Sequence, residues 1–193
     1  MAKNKQTNVT YHDWLRTGLR RATLAHFVLL TGFALQTIVM DAWHILVPEI
    51  ILKRWLSAAV LLGVVSVVWY MAHNRTENVT NYKRLTFILI VSDILFTAYT
   101  VYFHRGLASK YVAMFAIPIT VAAILLSRSA IYMTALLSMA AYIYSTNLYF
   151  ENFFNESYKT ELYSEIIFYA LLFLVYAMLL ANVIRFGGDT DSR

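Results

Sequence analysis

The chain has no cysteine, only two prolines and only six glycines among its 193 residues. Without cysteine it has no disulfide, no thiolate metal ligand and no cysteine nucleophile. So few prolines and glycines leave little material for long irregular linkers, and a single compact domain is expected. Charge is scarce as well. Charged residues make up 14% of the chain, against about 25% in an ordinary soluble domain, so most of the surface is expected to face something other than water. There is no Gly-rich phosphate loop, no HExxH and no serine elbow. No basic face interleaves with aromatics outside the apolar runs, which argues against nucleic acid as a partner. No lysine lies at mid-membrane depth, which excludes a retinal Schiff base.

What fills the chain instead is apolar sequence, 60% of the residues. Runs fall at Ala22–Met40, Ile51–Ala72, Leu85–Phe103, Tyr111–Leu126, Ala130–Tyr149 and Leu162–Ile184. A helix crossing the hydrocarbon core needs about 20 residues, with a range of about 17–25. Five runs meet this; the fourth is short and contains Pro118. Ser127, Arg128 and Ser129 alone separate it from the fifth. Arg128 would lie at the midplane if the two formed one helix, so it is assigned to a turn that reaches headgroups. The expected fold is all-α, a polytopic six-transmembrane-helix bundle at 22–184, between an interfacial amino-terminal segment at 1–21 and a short tail at 185–193.

Orientation follows from the basic residues. With the amino terminus inside, 11 of the 16 lysines and arginines lie in inside segments and five (Lys53, Arg54, Arg105, Lys110, Lys159) in outside loops. Both termini are therefore expected to be cytoplasmic, in the inner membrane of a prokaryote. Ahead of the first run, "TYHDWLRTGLRR" (Thr10–Arg21) reads either as an interfacial helix opened by a capping box at Thr10 and Asp13, or as the polar first turns of a long first helix. "ENFFNESYKTEL" (Glu151–Leu162) reads as a second interfacial element on the outer side. Many of the 14 tyrosines and all four tryptophans lie near span ends, as aromatic belts do.

Within the third run, 19 residues long, Asp93 is the ninth. An ionisable residue at that depth is a functional-site hypothesis by default. Thr86, Asp93, Thr97 and Thr100 share one helix side, at spacings of seven, four and three. In the fifth run Thr134, Ser138, Tyr142, Ser145 and Tyr149 form a second stripe, and Glu165, Tyr169 and Tyr176 a third in the sixth. The bland account is that hydroxyl stripes are helix interfaces; the sharper one is a polar intramembrane site shared by the three. Asp41, His44 and His104 are assigned to a shallow outer polar mouth. The five histidines lack a His-x3-His pair and differ in depth, so neither metal nor haem, nor any other cofactor, is expected.

The segment "FHRGLASKYVAMFAIPITVAAILLSRSAIYMTALLSMAAYIY" (Phe103–Tyr144) resembles the middle of the six-helix membrane input domains of bacterial sensor histidine kinases. Gly106 stands in the outer turn, Pro118 within a span, Arg128 in a basic turn, and Tyr142 near the end of an Ala/Leu/Ser-rich span. The basic, aromatic opening "WLRTGLRRATLAHFVLL" fits the same layout. The resemblance implies a module that senses a membrane or chemical signal and passes it through its last helix to a dimeric partner helix and kinase. The chain departs from that pattern after "NVIRF", where "GGDTDSR" carries no heptads, phosphoacceptor helix or ATP site, so the expected function is sensory input without catalytic output. The alternatives are a small proton- or cation-coupled transporter or channel, with Asp93 as the ion site, and a structural subunit of a larger membrane complex. The expected partners are the lipid bilayer, a second copy or another membrane protein, and a small hydrophobic ligand. Ion flux separates transport from the rest.

Overall fold

The computed structural model describes residues 2–74, 79–104, 106, 109–125, 127–153 and 159–190, with side chains described from 11 at one end and through 183 at the other. Among these residues the fold is all-α. The helices are α1 (Ala2–Ala42), α2 (Pro48–His73), α3 (Val79–Phe103), α4 (Ala116–Ala122), α5 (Arg128–Phe153) and α6 (Lys159–Thr190). Among the described residues four segments are long and apolar enough to cross a membrane: Tyr11–Ala42, Pro48–His73, Val79–Phe103 and Thr160–Val183. This is compatible with an integral membrane protein. The Lys110–Leu125 segment is apolar but short, and α5, though 26 residues long, is rich in hydroxyls. The expected span at Tyr111–Leu126 is not one α-helix. It is a 3-10 helix at Lys110–Phe115, the seven residues of α4, and a 3-10 turn at Ala123–Leu125. Pro118 is the physical reason. It has no N–H to give and stands in the first turn of α4, where helical N–H groups lack an intrahelical acceptor anyway.

The chain divides into two compact units, Met1–Leu89 and Ile90–Arg193, and α3 contributes residues to both. In the first, α1 runs unbroken through Thr10–Arg21, so no helix starts at Thr10. Its buried side is Leu15, Leu19, Thr23, His26, Leu30, Phe33 and Thr37, a period of three and four that marks one helix face. The matching side of α2 is Ile51, Arg54, Ala58, Leu61, Val65, Val68 and Ala72. The two helices form an antiparallel hairpin pinned at both ends. At one end Arg54 Nε donates to Thr37 Oγ1 at 2.9 Å, its Nη2 donates to Gln36 Oε1 at 3.1 Å, and the guanidinium lies 4.2 Å over the Phe33 ring. At the other, Arg16 donates to the Ala72 and His73 carbonyls at 3.4 and 3.2 Å, satisfying acceptors that the last turn of α2 leaves open. Between them the chain reverses through His44, at φ +52°, and restarts with Pro48 at the head of α2, where a fixed φ favours helix initiation. Tyr82 of α3 packs edge-on to His12, with ring centroids 5.0 Å apart.

In the second unit the carboxy-terminal half of α3 meets the far end of α5. Asn152 Nδ2 donates to Tyr102 Oη at 3.1 Å, and Tyr102 contacts the rings of Tyr149 and Phe153. Gly106, at φ +53°, completes this corner; a Cβ there would stand 2.6 Å from Tyr149 Cδ1. Ser127 opens α5 by accepting the Ala130 N–H at 3.4 Å, an N-cap, and Arg128 beside it is exposed. The break expected at Ser127–Ser129 falls there. α6 packs on α4 and α5 through Phe173, Ala177 and Ala181, and leaves Ile167, Phe168, Leu171, Val175, Met178, Leu179 and Val183 exposed. Of the expected interfacial element Glu151–Leu162, the ends belong to α5 and α6, and 154–158 lie outside the described residues. The expected tail at 185–193 begins within α6, which continues to Thr190; its side chains and residues 191–193 lie outside the described residues.

Candidate functional site

On α5 the positions Ser138, Tyr142 and Thr146 stand four residues apart, one helical turn each, and so line up along a single side. All three are fully buried. None of their hydroxyls closes a hydrogen bond of good geometry among the described residues, and Tyr142 has only the Thr146 hydroxyl of the same file beside it. Neighbouring hydroxyls on the helix are satisfied by its own backbone: Thr134 donates to Ala130 O at 2.8 Å and Ser145 to Tyr142 O at 3.0 Å. The file Ser138–Tyr142–Thr146 is thus distinguished by having no such outlet. Each buried hydroxyl left unbonded costs about 1–3 kcal/mol, so three in one row are unusual in a helix interface.

Tyr142 also anchors an aromatic cluster. Its ring meets Tyr169 at 5.4 Å, Phe173 at 6.1 Å and Phe115 at 6.2 Å, all close to edge-on, and Phe115 lies 5.5 Å from Phe173. Edge-to-face pairs at such distances are the favoured aromatic geometry. Three elements supply them: the 3-10 helix at Lys110–Phe115, α5 and α6. Tyr169 and Phe173 also line a cleft of about 350 Å³. Its lining comes from Ser109, Lys110, Val112, Ala113 and Ala116 and from the α6 row Tyr169–Leu179; because Phe115 pairs with Phe173 and Thr120 with Tyr176, Ser109 and Lys110 stand toward the Tyr169 end. Below Ala116, Thr120 Oγ1 and Tyr176 Oη are 2.7 Å apart. Thr120 donates to Ala116 O at 2.8 Å, which leaves Tyr176 as the donor in the pair.

The sequence-derived residues distribute as follows. Asp93, Thr97 and Thr100 are each buried on α3, with Thr100 donating to Phe96 O at 2.7 Å. Thr86, on the same helix side, belongs to the first unit and donates to Tyr82 O at 2.9 Å. Ser138, Tyr142 and Tyr169 come together as described. Glu165, one turn before Tyr169, is half-exposed. Asp41 and His44 are exposed in the first unit, where the His44 N–H donates to Asp41 O at 2.9 Å. His104, in the second, is half-buried and lies 4.6 Å from the Tyr111 ring. Among the described residues no group of three or more metal-binding side chains gathers.

Sequence reasoning missed several residues. Thr146 is one turn beyond Tyr142, a signal the period-four pattern contained but the choice of Ser145 and Tyr149 obscured. Phe115, Phe173, Ser109 and Lys110 gave no signal, since their roles depend on which helices meet. Arg54 was assigned to an outside loop; it is buried in α2, and its place inside an apolar run was the available clue. No family model, characterised protein or solved structure matches the chain.

Proposed function

We propose that the chain is a membrane-embedded sensory input module, in which a ligand or membrane state is read by the interior of the Ile90–Arg193 unit and passed on through α6. The observation that carries this reading is the buried hydroxyl file of Ser138, Tyr142 and Thr146, backed by Tyr169 and Phe173 of α6. Groups left partly satisfied are where a second arrangement costs least, because a shift that gives them partners offsets the packing it disturbs. Tyr169 and Phe173 form one wall of the cleft and also touch Tyr142, so pressure from the cleft side reaches the file through a single layer of side chains.

In this reading the chain crosses the membrane six times, with α4 and its 3-10 flanks as a short fourth span and both termini cytoplasmic. The membrane is the plasma membrane of a prokaryote. The resemblance of Phe103–Tyr144 to sensor-kinase input domains supports the same assignment. Output belongs to a partner: a second copy or another membrane protein engaged through the exposed apolar side of α6.

A second reading, a proton- or cation-coupled transporter, is favoured by one observation, the 3% exposure of Asp93 in α3. Reconstitution separates the two. Proteoliposomes carrying a luminal pH dye and an imposed gradient are expected to leak no faster than protein-free vesicles. Proton or cation flux that disappears in Asp93→Asn would replace the input reading with transport.

A further inference from the structure

The cleft beside α6 has an uneven chemistry. Along its length it is lined by Val112, Ala113, Leu172, Phe173, Val175 and Leu179; of its polar residues, Ser109 and Lys110 adjoin each other at one end, and Tyr176 has its hydroxyl engaged with Thr120. From Tyr169 to Leu179 the α6 wall is about 15 Å long at 1.5 Å per residue. Its volume of about 350 Å³ lies at the low end of the ~300–1,000 Å³ typical of small-molecule sites. That suits one slender chain and is too small for a two-chain lipid. At the polar end Lys110 is exposed and supplies a single positive charge. Ser109 is buried, and its Oγ accepts the Tyr111 N–H at 3.3 Å, which leaves its own proton to donate. One ammonium and one hydroxyl match the two oxygens of a carboxylate. A phosphate monoester, with three oxygens and more charge, would be left short of donors.

We propose that this cleft binds a single-chain fatty carboxylate, its head on Lys110 and Ser109 and its tail along Phe173–Leu179. The assignment names the ligand of the input module and so rests on that reading. A tail that leaves the bilayer for the cleft exchanges one apolar surrounding for another, so the fit along the α6 wall and the head-group contact at Lys110 and Ser109 together decide occupancy. The tail lies against Tyr169 and Phe173, the two α6 rings that touch Tyr142.

The test uses the full chain in nanodiscs of zwitterionic phosphatidylcholine, with dodecanoic acid, short enough to lie within the cleft, bearing a terminal diazirine as the probe and its alcohol as the uncharged counterpart. Photolabelling by the acid is expected on the Phe173–Leu179 stretch. Ala113→Trp, at an exposed position whose side chain would fill the cleft, is expected to reduce it about tenfold, the equivalent of about 1.4 kcal/mol, with Ala113→Leu in between and elution and circular dichroism unchanged for both. Lys110→Gln is expected to weaken labelling by the acid and leave the alcohol unaffected. Label located elsewhere, label that survives Ala113→Trp, or equal loss of acid and alcohol in Lys110→Gln would each overturn the assignment. Such a failure leaves the input reading to the flux measurement, which involves no fatty acid.

Discussion

Tyr142 on α5 and Tyr169 on α6 meet with ring centroids 5.4 Å apart and planes at 65°, and through this contact the exposed face of α6 adjoins the buried hydroxyl file. The ring and the hydroxyl of Tyr142 do different things. The ring packs on Phe115, Tyr169 and Phe173, whereas the hydroxyl closes no hydrogen bond of good geometry and has only the Thr146 hydroxyl beside it.

Tyr142→Phe is therefore expected to keep or slightly raise thermal stability in detergent. Tyr142→Ala is expected to lose about 3 kcal/mol, at the low end of aromatic-to-alanine core substitutions. Melting followed by circular dichroism reads both. A Tyr142→Phe loss as large as that of Tyr142→Ala would mean that the hydroxyl is bonded in the folded protein.

At Gly106 two costs are superposed, a left-handed φ of +53° and a Cβ clash with Tyr149. Gly106→Ala is expected to destabilise by more than the roughly 1–2 kcal/mol of the left-handed conformation alone. Tyr149→Ala in the same chain is expected to remove the clash component and leave the conformational one. The double-mutant cycle thus reads a positive coupling; strict additivity would contradict the geometry at this corner.

Thr120 and Tyr176 tie α4 to α6 with one hydrogen bond of 2.7 Å. Hydrogen bonds between membrane helices average about 0.6 kcal/mol, so the cycle of Thr120→Val and Tyr176→Phe is expected to show coupling of that order. Coupling near zero would place the two hydroxyls out of contact.

Asp93 is buried in α3 and engaged by neighbouring groups. Asn retains the shape and an acceptor at that position, and Leu retains neither. Asp93→Leu is expected to cost about 1–3 kcal/mol by leaving buried partners unsatisfied, and Asp93→Asn measurably less. Equal stability of the two variants would show that the carboxyl contributes nothing to the fold.

The sequence revealed long helices more readily than the way their side chains converge. The periods of three and four in α3 and α5 were legible because hydroxyl residues repeat where a helix buries one side. Pro118 announced an interruption but not its form, since the change from α to 3-10 depends on how the preceding turn is anchored. Lys53 and Arg54 adjoin each other and looked alike as loop charges. Lys53 pairs with Glu49 one turn back in an exposed i,i+4 bridge, whereas Arg54 turns inward to Thr37, Gln36 and Phe33. A planar guanidinium can satisfy several acceptors and stack on a ring, which an ammonium cannot do. Tyr142 and Tyr169 of the aromatic cluster stood in the hydroxyl stripes, but Phe115 and Phe173 were out of reach of sequence reasoning, because they lie far apart in the chain and carry no pattern of their own.

The central claim is that filling the cleft alters how α6 sits within its own unit. The cysteine-free chain permits paired spin labels at Asn147→Cys on α5 and Met178→Cys on α6, both exposed positions outside the cleft lining, with the distance between them read by double electron–electron resonance in nanodiscs. The chain is compared empty, with dodecanoic acid, and with the cleft filled by Ala113→Trp. The account predicts that both fillings move the distance distribution in the same direction, by about 1–2 Å, the scale of signalling helix displacements. Distributions that coincide in all three states would contradict it, because a cleft that can be filled without moving α6 cannot report its contents through that helix.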